Sequence, residues 1–433
     1  MTINRRQFIK STFGSVVVGL VTPRLLLGGT KGSAGSSGSG AGRNILVIVQ
    51  FEGGNDGLNT VIPYTDPDYY QLRPNLGFPQ AELVDASGNS TIISNQFGLH
   101  PAMPEIKSLY DQGQVAIVLG VSFANPNLSH FLSMDIWETA DPTGDGSEGW
   151  IGKYADIALV NATGLPAAAV GGLLPQAMYS PNVVIPSIVS FGSYNFTTDP
   201  NYPGDNQNQL NTFELNGARS FASGSLTGQV NQIGMNALNG AFLVQNSIAQ
   251  YTSTVTYPTD NPLAQGFQML AELLTTIPEL QIVYVTLGSF DTHSSEINNN
   301  GSTPVRSAGT HAQLLGWFSQ AVSLFLQDLQ AHSLADNTVI MTWSEFGRRV
   351  QENTSFGTDH GTAAPMFIVG NPVKGGALYG SQPSCANLDQ YGNLQFTVDF
   401  RSMYATILEK WLDVDSTQVL GTDPFPRDLG FFG

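Results

Sequence analysis

Several short segments of the sequence carry carboxylate and imidazole side chains, the groups that bind divalent metal ions in proteins. They are Asp56 in 53-GGNDGLN-59, His130 in 125-NPNLSHFLSM-134, Asp291 and His293 in 290-FDTHSS-295, Glu345 in 344-SEFGRR-349, and Asp359 and His360 in 357-GTDHGTAAP-365. A buried carboxylate is unfavourable unless it is paired, and a divalent cation is one possible partner. Imidazoles suit zinc or manganese better than calcium or magnesium. These residue types therefore predict a metal centre.

Each of these residues also has a purely structural interpretation. Asp56 in an Asn-Asp-Gly sequence is compatible with a simple turn, and Asp291 and Asp359 are compatible with caps. Glu345 could form an ion pair with Arg348, and a single histidine is more often hydrogen-bonded than metal-bound. Most of the chain's 6 histidines, however, lie in segments of this kind, namely His130, His293, His311 and His360. This concentration favours the metal site.

The elements that would position these residues can be identified from apolar runs. The runs are 45-ILVIV-49, 115-VAIVLGV-121, 282-IVYVTLG-288, 338-TVIMTW-343 and 366-MFIVG-370. Continuous apolarity is typical of strands covered on both faces, as in a parallel sheet. Between the third and fourth runs, residues 311–330 carry an apolar stripe of helical spacing, and a further helix is predicted over 400–412 with Asp399 as N-cap. The pattern predicts an α/β fold with helices on both faces of a mostly parallel sheet.

The position of the candidate ligands relative to these strands predicts where they meet. Open α/β sheets bind ligands in the crevice beyond the carboxyl ends of their strands. The candidate segments follow the first four runs, and the segment with His360 directly precedes the fifth. We therefore expect them to converge at one edge of the sheet.

Composition excludes some classes of partner and predicts an accessory region. The 433 residues include 17 Lys plus Arg and 34 Asp plus Glu, for a formal net charge of -17, so nucleic acid is not an expected partner. Cys385 is the single cysteine, so no intramolecular disulfide is possible. The Gly-, Asn- and Gln-rich residues from about 141 to 265 are predicted to form a cap or insertion within a domain spanning 44–433. The sequence does not predict an oligomeric state.

The amino terminus has the features of an export signal. Arg5 and Arg6 in 4-NRRQFIK-10 precede the weakly apolar residues 11–29, and a Gly/Ser-rich linker covers 30–43. This arrangement resembles a twin-arginine signal and is too interrupted for a membrane-spanning helix. We expect a periplasmic or extracellular protein that has the twin-arginine translocase as a partner during export.

The motifs together resemble a bacterial family of exported proteins known as a domain of unknown function, number 1501. The resemblance rests on 45-ILVIVQFEGGNDGLNTVIPY-64, 125-NPNLSHFLSMDIWETA-140, 285-VTLGSFDTHSS-295, 340-IMTWSEFGRRVQEN-353, residues 357–380 and 397-TVDFRSMYATILEKWL-412. That family is similar to the alkaline phosphatase and sulfatase superfamily, whose members hold one or two metal ions beside a Ser, Thr or modified Cys nucleophile. The resemblance implies an alkaline phosphatase-like fold.

The resemblance also implies roles for individual residues. Asp56, Asp291 with His293 or His311, and His360 correspond to metal ligands, and Glu345 falls where an Asp-His pair is usual. Ser129 lies near the nucleophile position, with Ser133 as an alternative expected to face solvent. The absence of a Cys at this position disfavours a formylglycine sulfatase.

The leading functional prediction is a metal-dependent hydrolase or transferase acting on phosphate or sulfate esters. Ser129 or a water molecule would attack the ester, His130 would act as general acid, and Arg348 or Arg349 would hold the anionic group. The substrate would be a small anionic ester or an envelope glycan. The alternative prediction is a catalytically silent binding protein that recognises an envelope glycan or a partner through residues 191–211.

Overall fold

A computed structural model gives the three-dimensional structure of the chain. It describes residues 43–433 except 163, 196–197, 200, 223–224 and 301–302. The predicted export signal, residues 1–29, and all of the predicted linker except Arg43 lie outside the described residues.

The described chain alternates strands and helices. The strands are β1 Ile45–Phe51, β2 Val61–Ile62, β3 Gly98–Leu99, β4 Val115–Ser122, β5 Ala167–Val170, β6 Ser187–Ile188, β7 Ile282–Leu287, β8 Asn298–Asn300, β9 Thr303–Val305, β10 Thr338–Trp343, β11 Arg348–Glu352, β12 Thr358–His360, β13 Ala364–Val369, β14 Ala377–Gly380 and β15 Val398–Asp399. The α-helices are α1 Gly57–Thr60, α2 Pro67–Leu72, α3 Pro104–Asp111, α4 His130–Thr139, α5 Trp150–Ala158, α6 Asn206–Gly217, α7 Leu226–Gln250, α8 Pro262–Thr276, α9 Thr310–Ala331, α10 Phe400–Lys410 and α11 Thr417–Leu420. Short 3₁₀ helices cover Gln80–Glu82, Gln176–Met178, Pro203–Asp205 and Ala335–Asn337.

One large sheet organises the fold. Its nine strands run in the order β14, β4, β13, β10, β1, β7, β5 and β6, with β15 beside β4. β1 is parallel to both of its neighbours, pairing Leu46 with Val339 of β10 and with Ile282 of β7. β13 is antiparallel to both β10 and β4, whereas the other pairings within the sheet are parallel. The predicted α/β class with a mostly parallel sheet is confirmed.

The two faces of the sheet are covered by different helices. Ile45, Val47 and Val49 of β1 pack on the side of α3, α8 and α9, while Leu46 and Ile48 pack on the side of α4, α5 and α10. Alternate residues of a strand point to opposite faces, so a strand covered on both sides must be apolar throughout. The uninterrupted run of β1 has this physical origin, and the three-layer arrangement is confirmed.

Helix α9 shows the stripe that its sequence predicts. Leu315, Phe318, Val322, Phe325 and Leu329 are all fully buried against the sheet and α8. The predicted N-cap of α10 is also present, because the side chain of Asp399 accepts a hydrogen bond from the backbone N–H of Arg401.

The antiparallel direction of β13 has a consequence for the site. Strands β1, β4, β7 and β10 end at one edge of the sheet, and their candidate segments follow there. β13 runs the opposite way, so its first residue lies at this same edge and brings the preceding His360 with it. Sheet direction thus collects residues that are far apart in the sequence.

Part of the segment predicted as a cap or insertion belongs to the central sheet. β5 pairs with β7 and β6 pairs with β5, although both strands lie within residues 141–265. The alanine-rich run of β5 has small side chains that gave little apolar signal, which explains why sequence reasoning did not include it. None of the helices in the described part of the chain combines the length and apolarity needed to span a membrane.

Candidate metal centre

Three imidazoles converge on one carboxylate at the edge of the sheet. Asp291 Oδ1 lies 3.2 Å from His293 Nε2 and 3.1 Å from His360 Nε2, and these two nitrogens are 2.9 Å apart. His130 Nε2 lies 3.5 Å from Asp291 Oδ2. Among the described residues, His130, Asp291 and His360 form a group whose potential ligand atoms all lie within 4.8 Å of one another. The structure therefore contains a His/Asp site that could hold a metal ion.

The other nitrogen of each ring is held by a hydrogen-bond acceptor. His130 Nδ1 lies 2.8 Å from Glu345 Oε1, His293 Nδ1 lies 3.0 Å from Asp359 Oδ1, and His360 Nδ1 lies 2.8 Å from the carbonyl oxygen of Leu128. Carboxylates and carbonyls only accept hydrogen bonds, so these three contacts require a proton on each Nδ1, and a ring with its single proton there presents Nε2 as a free ligand atom. Metal-binding histidines are oriented in this way.

The spacing of these atoms fits a shared cation. With the protons on Nδ1, the Nε2 atoms of His293 and His360, 2.9 Å apart, cannot hydrogen-bond to each other, and a cation between them removes their repulsion. In a tetrahedral zinc site with bonds of about 2.0–2.1 Å, neighbouring ligand atoms are roughly 3.3 Å apart. The separations around Asp291 are close to that value, so the residues present fit a metal ion.

Asp291 is kept ionised by Arg348. Arg348 Nη2 donates to Asp291 Oδ1 at 2.6 Å. Burial by itself raises the pKa of Asp291, but the hydrogen bond and positive charge of Arg348 lower this pKa to about 2. The Asp291 side chain is nevertheless 46% exposed, so a ligand can reach it from solvent.

The role predicted for Arg348 as a holder of the substrate anion is wrong in this geometry. The Arg348 side chain is fully buried, and its N–H groups donate to the backbone carbonyls of Gly53, Gly54, Phe290 and Thr358 as well as to Asp291. These bonds engage all three nitrogens of the guanidinium. Arg348 ties the loops after β1 and β7 to β11 and positions Asp291.

Glu345 contacts the site through His130. Its side chain is fully buried, and Oε1 accepts from the backbone N–H of Gly53 at 2.9 Å as well as from His130 Nδ1. This hydrogen bond raises the pKa of His130. Glu345 therefore positions a ligand in place of the predicted direct ligation, and His130, predicted as a general acid, lies among the ligand atoms.

Two glycines allow the loop after β1 to pass close to these groups. Gly53 and Gly54 have φ of 119° and 85°, a region that favours glycine. A Cβ on Gly53 would lie 2.4 Å from the backbone nitrogen of Asp291, and one on Gly54 would lie 2.5 Å from the ring of Phe346. Phe346 in turn packs against the rings of His130 and His360.

Asp56 belongs to a different, buried cluster. It is 0% exposed and forms a bidentate ion pair with Arg73, with distances of 2.5 Å from Nη1 to Oδ2 and 2.8 Å from Nη2 to Oδ1. Burial raises the pKa of Asp56, but the charge and hydrogen bonds of Arg73 lower it to about 2. Arg73 thus supplies the positive charge beside Asp56 that the sequence analysis assigned to a metal ion. The error arose because the cation that pairs with Asp56 could not be identified from the sequence.

His311 also lies in this buried cluster. It is 2% exposed, and its Nε2 lies 3.0 Å from Asn55 Oδ1 and 3.4 Å from Thr60 Oγ1. Burial lowers the pKa of His311 to about 4, so the ring is neutral at physiological pH. Its ring packs edge to face against that of His100. The sequence predicted His311 as a metal ligand, but the structure places it in the buried cluster instead.

Sequence reasoning missed Glu296, the second carboxylate of the buried cluster. Glu296 is 0% exposed, accepts hydrogen bonds from Thr358 Oγ1 at 2.7 Å and Thr292 Oγ1 at 3.2 Å, and is hydrogen-bonded to Asp56. Burial and the Asp56 charge raise the pKa of Glu296 well above its ordinary value. Of these two coupled carboxyls, Glu296 is therefore the one that holds a proton more strongly. Only the burial of Arg73 and Glu296 reveals this arrangement.

We expect the Glu296→Gln variant to be more stable than the unmodified protein by a difference that grows as pH rises. The folded-state pKa of Glu296 lies above its unfolded value of about 4.5, so between these two values the folded state binds a proton that the unfolded state has lost. Stability then falls with rising pH by up to about 1.4 kcal/mol per pH unit, and glutamine removes this loss. Urea unfolding of both proteins between pH 5 and 8 measures the difference, and a difference independent of pH would contradict the assignment.

The two candidate nucleophiles differ in exposure. Ser129 is exposed at the N-cap of α4, directly before His130, and its side chain makes no capping hydrogen bond. Ser133, expected to face solvent, is instead 0% exposed, and its hydroxyl donates to the carbonyl oxygen of Asn127. The prediction for Ser133 was wrong because this turn of α4 packs inward.

Comparison with known families agrees with the sequence resemblance. Residues 223–423 match the model of a family described as protein of unknown function, DUF1501. The family resemblance predicted from the motifs is confirmed. The search of curated proteins finds no match to this chain.

The solved structures that match this chain include a protein in the alkaline phosphatase superfamily, a periplasmic domain and a lipoteichoic acid synthase. One is a protein in the alkaline phosphatase superfamily from Vibrio parahaemolyticus, with 11% identity over 96% of this chain and 72% of that chain and a TM-score of 0.38. Another is the C-terminal periplasmic domain of EcEptC from Escherichia coli, with 8% identity over 89% of each chain and a TM-score of 0.39. A third is the lipoteichoic acid synthase LtaP from Listeria monocytogenes, with 11% identity over 90% of this chain and 75% of that chain and a TM-score of 0.33. These TM-scores assign no activity to this chain.

Proposed function

We propose that this protein is a metal-dependent hydrolase or transferase acting on phosphate or sulfate esters. The observation that carries the proposal is the convergence of three Nε2 atoms on Asp291, with every corresponding Nδ1 held by an acceptor. In this proposal the metal ligands are His130, Asp291, His293 and His360. The partial exposure of Asp291 leaves this group of side chains accessible to a substrate.

The donor set indicates which metal the site would hold. Imidazoles and one carboxylate suit zinc, with manganese as the second choice, better than calcium or magnesium. When bound, such an ion polarises an ester oxygen and makes a coordinated hydroxyl or water a better nucleophile.

The residues around the ligands supply the nucleophile and orient the site. Ser129 is the proposed nucleophile, since its exposed hydroxyl lies one residue from His130 and no cap uses it; a water molecule is the alternative. The N-terminus of α4 favours an anionic group near Ser129, because the first N–H groups of a helix lack helical partners. This feature can replace the anion contact that Arg348 does not provide. Glu345 and Asp359 hold the rings of His130 and His293.

Export is part of the proposal but depends on residues outside the described part of the chain. Arg5 and Arg6 support recognition by the twin-arginine translocase and a periplasmic or extracellular location. Substituting both by Lys should retain the protein inside the cell.

We expect the purified protein to carry zinc or manganese and to hydrolyse at least one simple ester. Metal content is measured by elemental analysis, and turnover is assayed with p-nitrophenyl phosphate, bis-p-nitrophenyl phosphate and p-nitrophenyl sulfate. Removal of the metal should abolish turnover, and its return should restore it. Ser129→Ala separates the two nucleophiles, because it stops the reaction only if serine attacks.

The opposite result has an equally clear meaning. Folded protein that binds neither metal and turns over none of the three esters contradicts the enzyme proposal. It supports the alternative predicted from the sequence, a binding protein that uses the same fold.

A further inference from the structure

A cleft of about 720 Å³ opens beside the candidate metal centre. The loop before α4 forms one wall, and the residues after β14 form the other. Leu128 belongs to the wall that the loop before α4 forms, and its carbonyl oxygen accepts the hydrogen bond from His360 Nδ1 at 2.8 Å. The cleft therefore adjoins a proposed ligand, and its volume is within the range of small-molecule sites.

The cleft is lined by aromatic rings and side-chain amides. The rings are Phe123, Tyr391 and Phe396, and the amides are Asn125, Gln390, Asn393 and Gln395. Tyr391 is 66% exposed and Phe396 is 37% exposed, so both rings are accessible. Flat apolar faces combined with neutral donors and acceptors match a sugar ring, which has C–H faces and hydroxyl groups at its rim.

Two buried polar atoms of the residues that line the cleft have no hydrogen-bond partner within the described structure. They are Arg349 Nε, a donor, and Asn393 Oδ1, an acceptor. Asn393 is 2% exposed, and its Nδ2 is already fixed at 3.1 Å from Asp389 Oδ2, so the amide orientation leaves Oδ1 as the open group. Buried polar atoms are normally hydrogen-bonded, so these residues have unused hydrogen-bonding capacity next to the cleft.

Charge narrows the class of ligand further. Arg349 is the one cationic residue among those that line the cleft, and Asp389 is the one anionic residue. Asp389 is occupied within its own turn, since Oδ1 accepts from the backbone N–H groups of Tyr391 and Asn393 at 2.8 Å. The guanidinium of Arg349 lies near the charges of Asp359 and Asp389, but within the described residues it forms no side-chain hydrogen bond with either, so its donors can bind an external anion.

We propose that this cleft binds an acidic saccharide, with its sugar ring against Tyr391 and Phe396 and its anionic substituent on Arg349. This assignment rests on the proposed function in one respect. It treats the saccharide as the part of the ester substrate that extends away from the metal centre. The substituent is a carboxylate, sulfate or phosphate on the sugar.

Calorimetric titration of the full chain in the presence of zinc tests this assignment with trigalacturonate, galactose 6-sulfate, galactose and galactotriose. We expect each acidic sugar to bind about 10-fold or more tighter than its neutral counterpart, the effect of one charge-assisted hydrogen bond. Arg349→Gln should remove this preference and leave galactotriose binding unchanged. Tyr391→Ala should weaken all four. The two acidic sugars distinguish a carboxylate from a sulfate as the preferred substituent.

A matched control is Arg219→Gln, which changes an exposed arginine that does not line the cleft. Equal binding of acidic and neutral sugars, or an Arg349→Gln variant that keeps the preference, would overturn the proposal. Failure of the enzyme function gives a different result, namely saccharide binding without turnover of any ester. Metal-dependent turnover without saccharide binding would overturn this inference alone.

Discussion

Replacing Asp291 by Asn should lower metal affinity by more than about 100-fold and remove ester turnover, while the protein stays folded. Asp291 is the carboxylate on which the three imidazoles converge. An Asn keeps an oxygen for the hydrogen bond from Arg348 but lacks the negative charge that binds a cation. Residues that only orient ligands contribute about 10–100-fold, so the loss of a ligand should exceed that range.

Two further variants make this prediction specific. Glu345→Gln should fall within the 10–100-fold range, because Glu345 contacts His130 and not the other ligand atoms in the centre. Asp415→Asn, at an exposed turn before α11, should change neither metal content nor turnover. Titration with zinc followed by the ester assay ranks the three variants. An Asp291→Asn protein that binds metal as well as the unmodified chain does would refute the proposed ligand set.

Replacing Arg73 by Met should destabilise the protein by roughly 3–5 kcal/mol, the cost of breaking a buried ion pair from one side. The substitution leaves the ionised Asp56 without its partner in a fully buried position. Arg73 Nε and Nη2 also donate to the backbone carbonyls of Val350 and Arg349 at 2.8 Å, so these acceptors lose their donors as well. Urea unfolding followed by circular dichroism measures the change in the free energy of unfolding.

The chain offers a matched surface pair as control. Lys410 and Asp428 form an ion pair at 3.1 Å in which the side chains are 42% and 48% exposed, so Lys410→Met should change stability by less than about 1 kcal/mol. The double variant Arg73→Met with Asp56→Leu should recover much of the loss, because no unpaired charge remains. If Arg73→Met were neutral in stability but abolished metal binding, Asp56 would belong to the metal site after all.

The position of the site at one sheet edge followed from patterns within the sequence. Continuous apolar runs identify β1, β4, β7, β10 and β13, because a strand covered on both faces has no polar side to expose. Asp291 and His293 follow one of these strands, and His360 precedes another, so a layered α/β fold brings them to the same edge. The structure places these three side chains within hydrogen-bond distance of one another.

Only the tertiary structure decided which charged groups pair. Asp56 and Asp291 both follow buried strands and look equivalent in the sequence, yet Asp56 meets Arg73 in the interior while Asp291 meets three imidazoles at a half-exposed edge. Glu345 and Arg348 likewise lie near the centre but use their atoms to hold His130, Asp291 and the loop backbone.

The physical reason is the difference in range between the two kinds of information. Whether a strand is buried depends on its own residues, so a short segment of the sequence is enough to predict it. Pairing of charges depends on distances of a few ångströms between segments separated by tens or hundreds of residues, and on whether water reaches them. The sequence by itself therefore determined the layers of this protein and the edge where chemistry would be found. Which side chains face an incoming metal ion and which neutralise one another was determined only by folding.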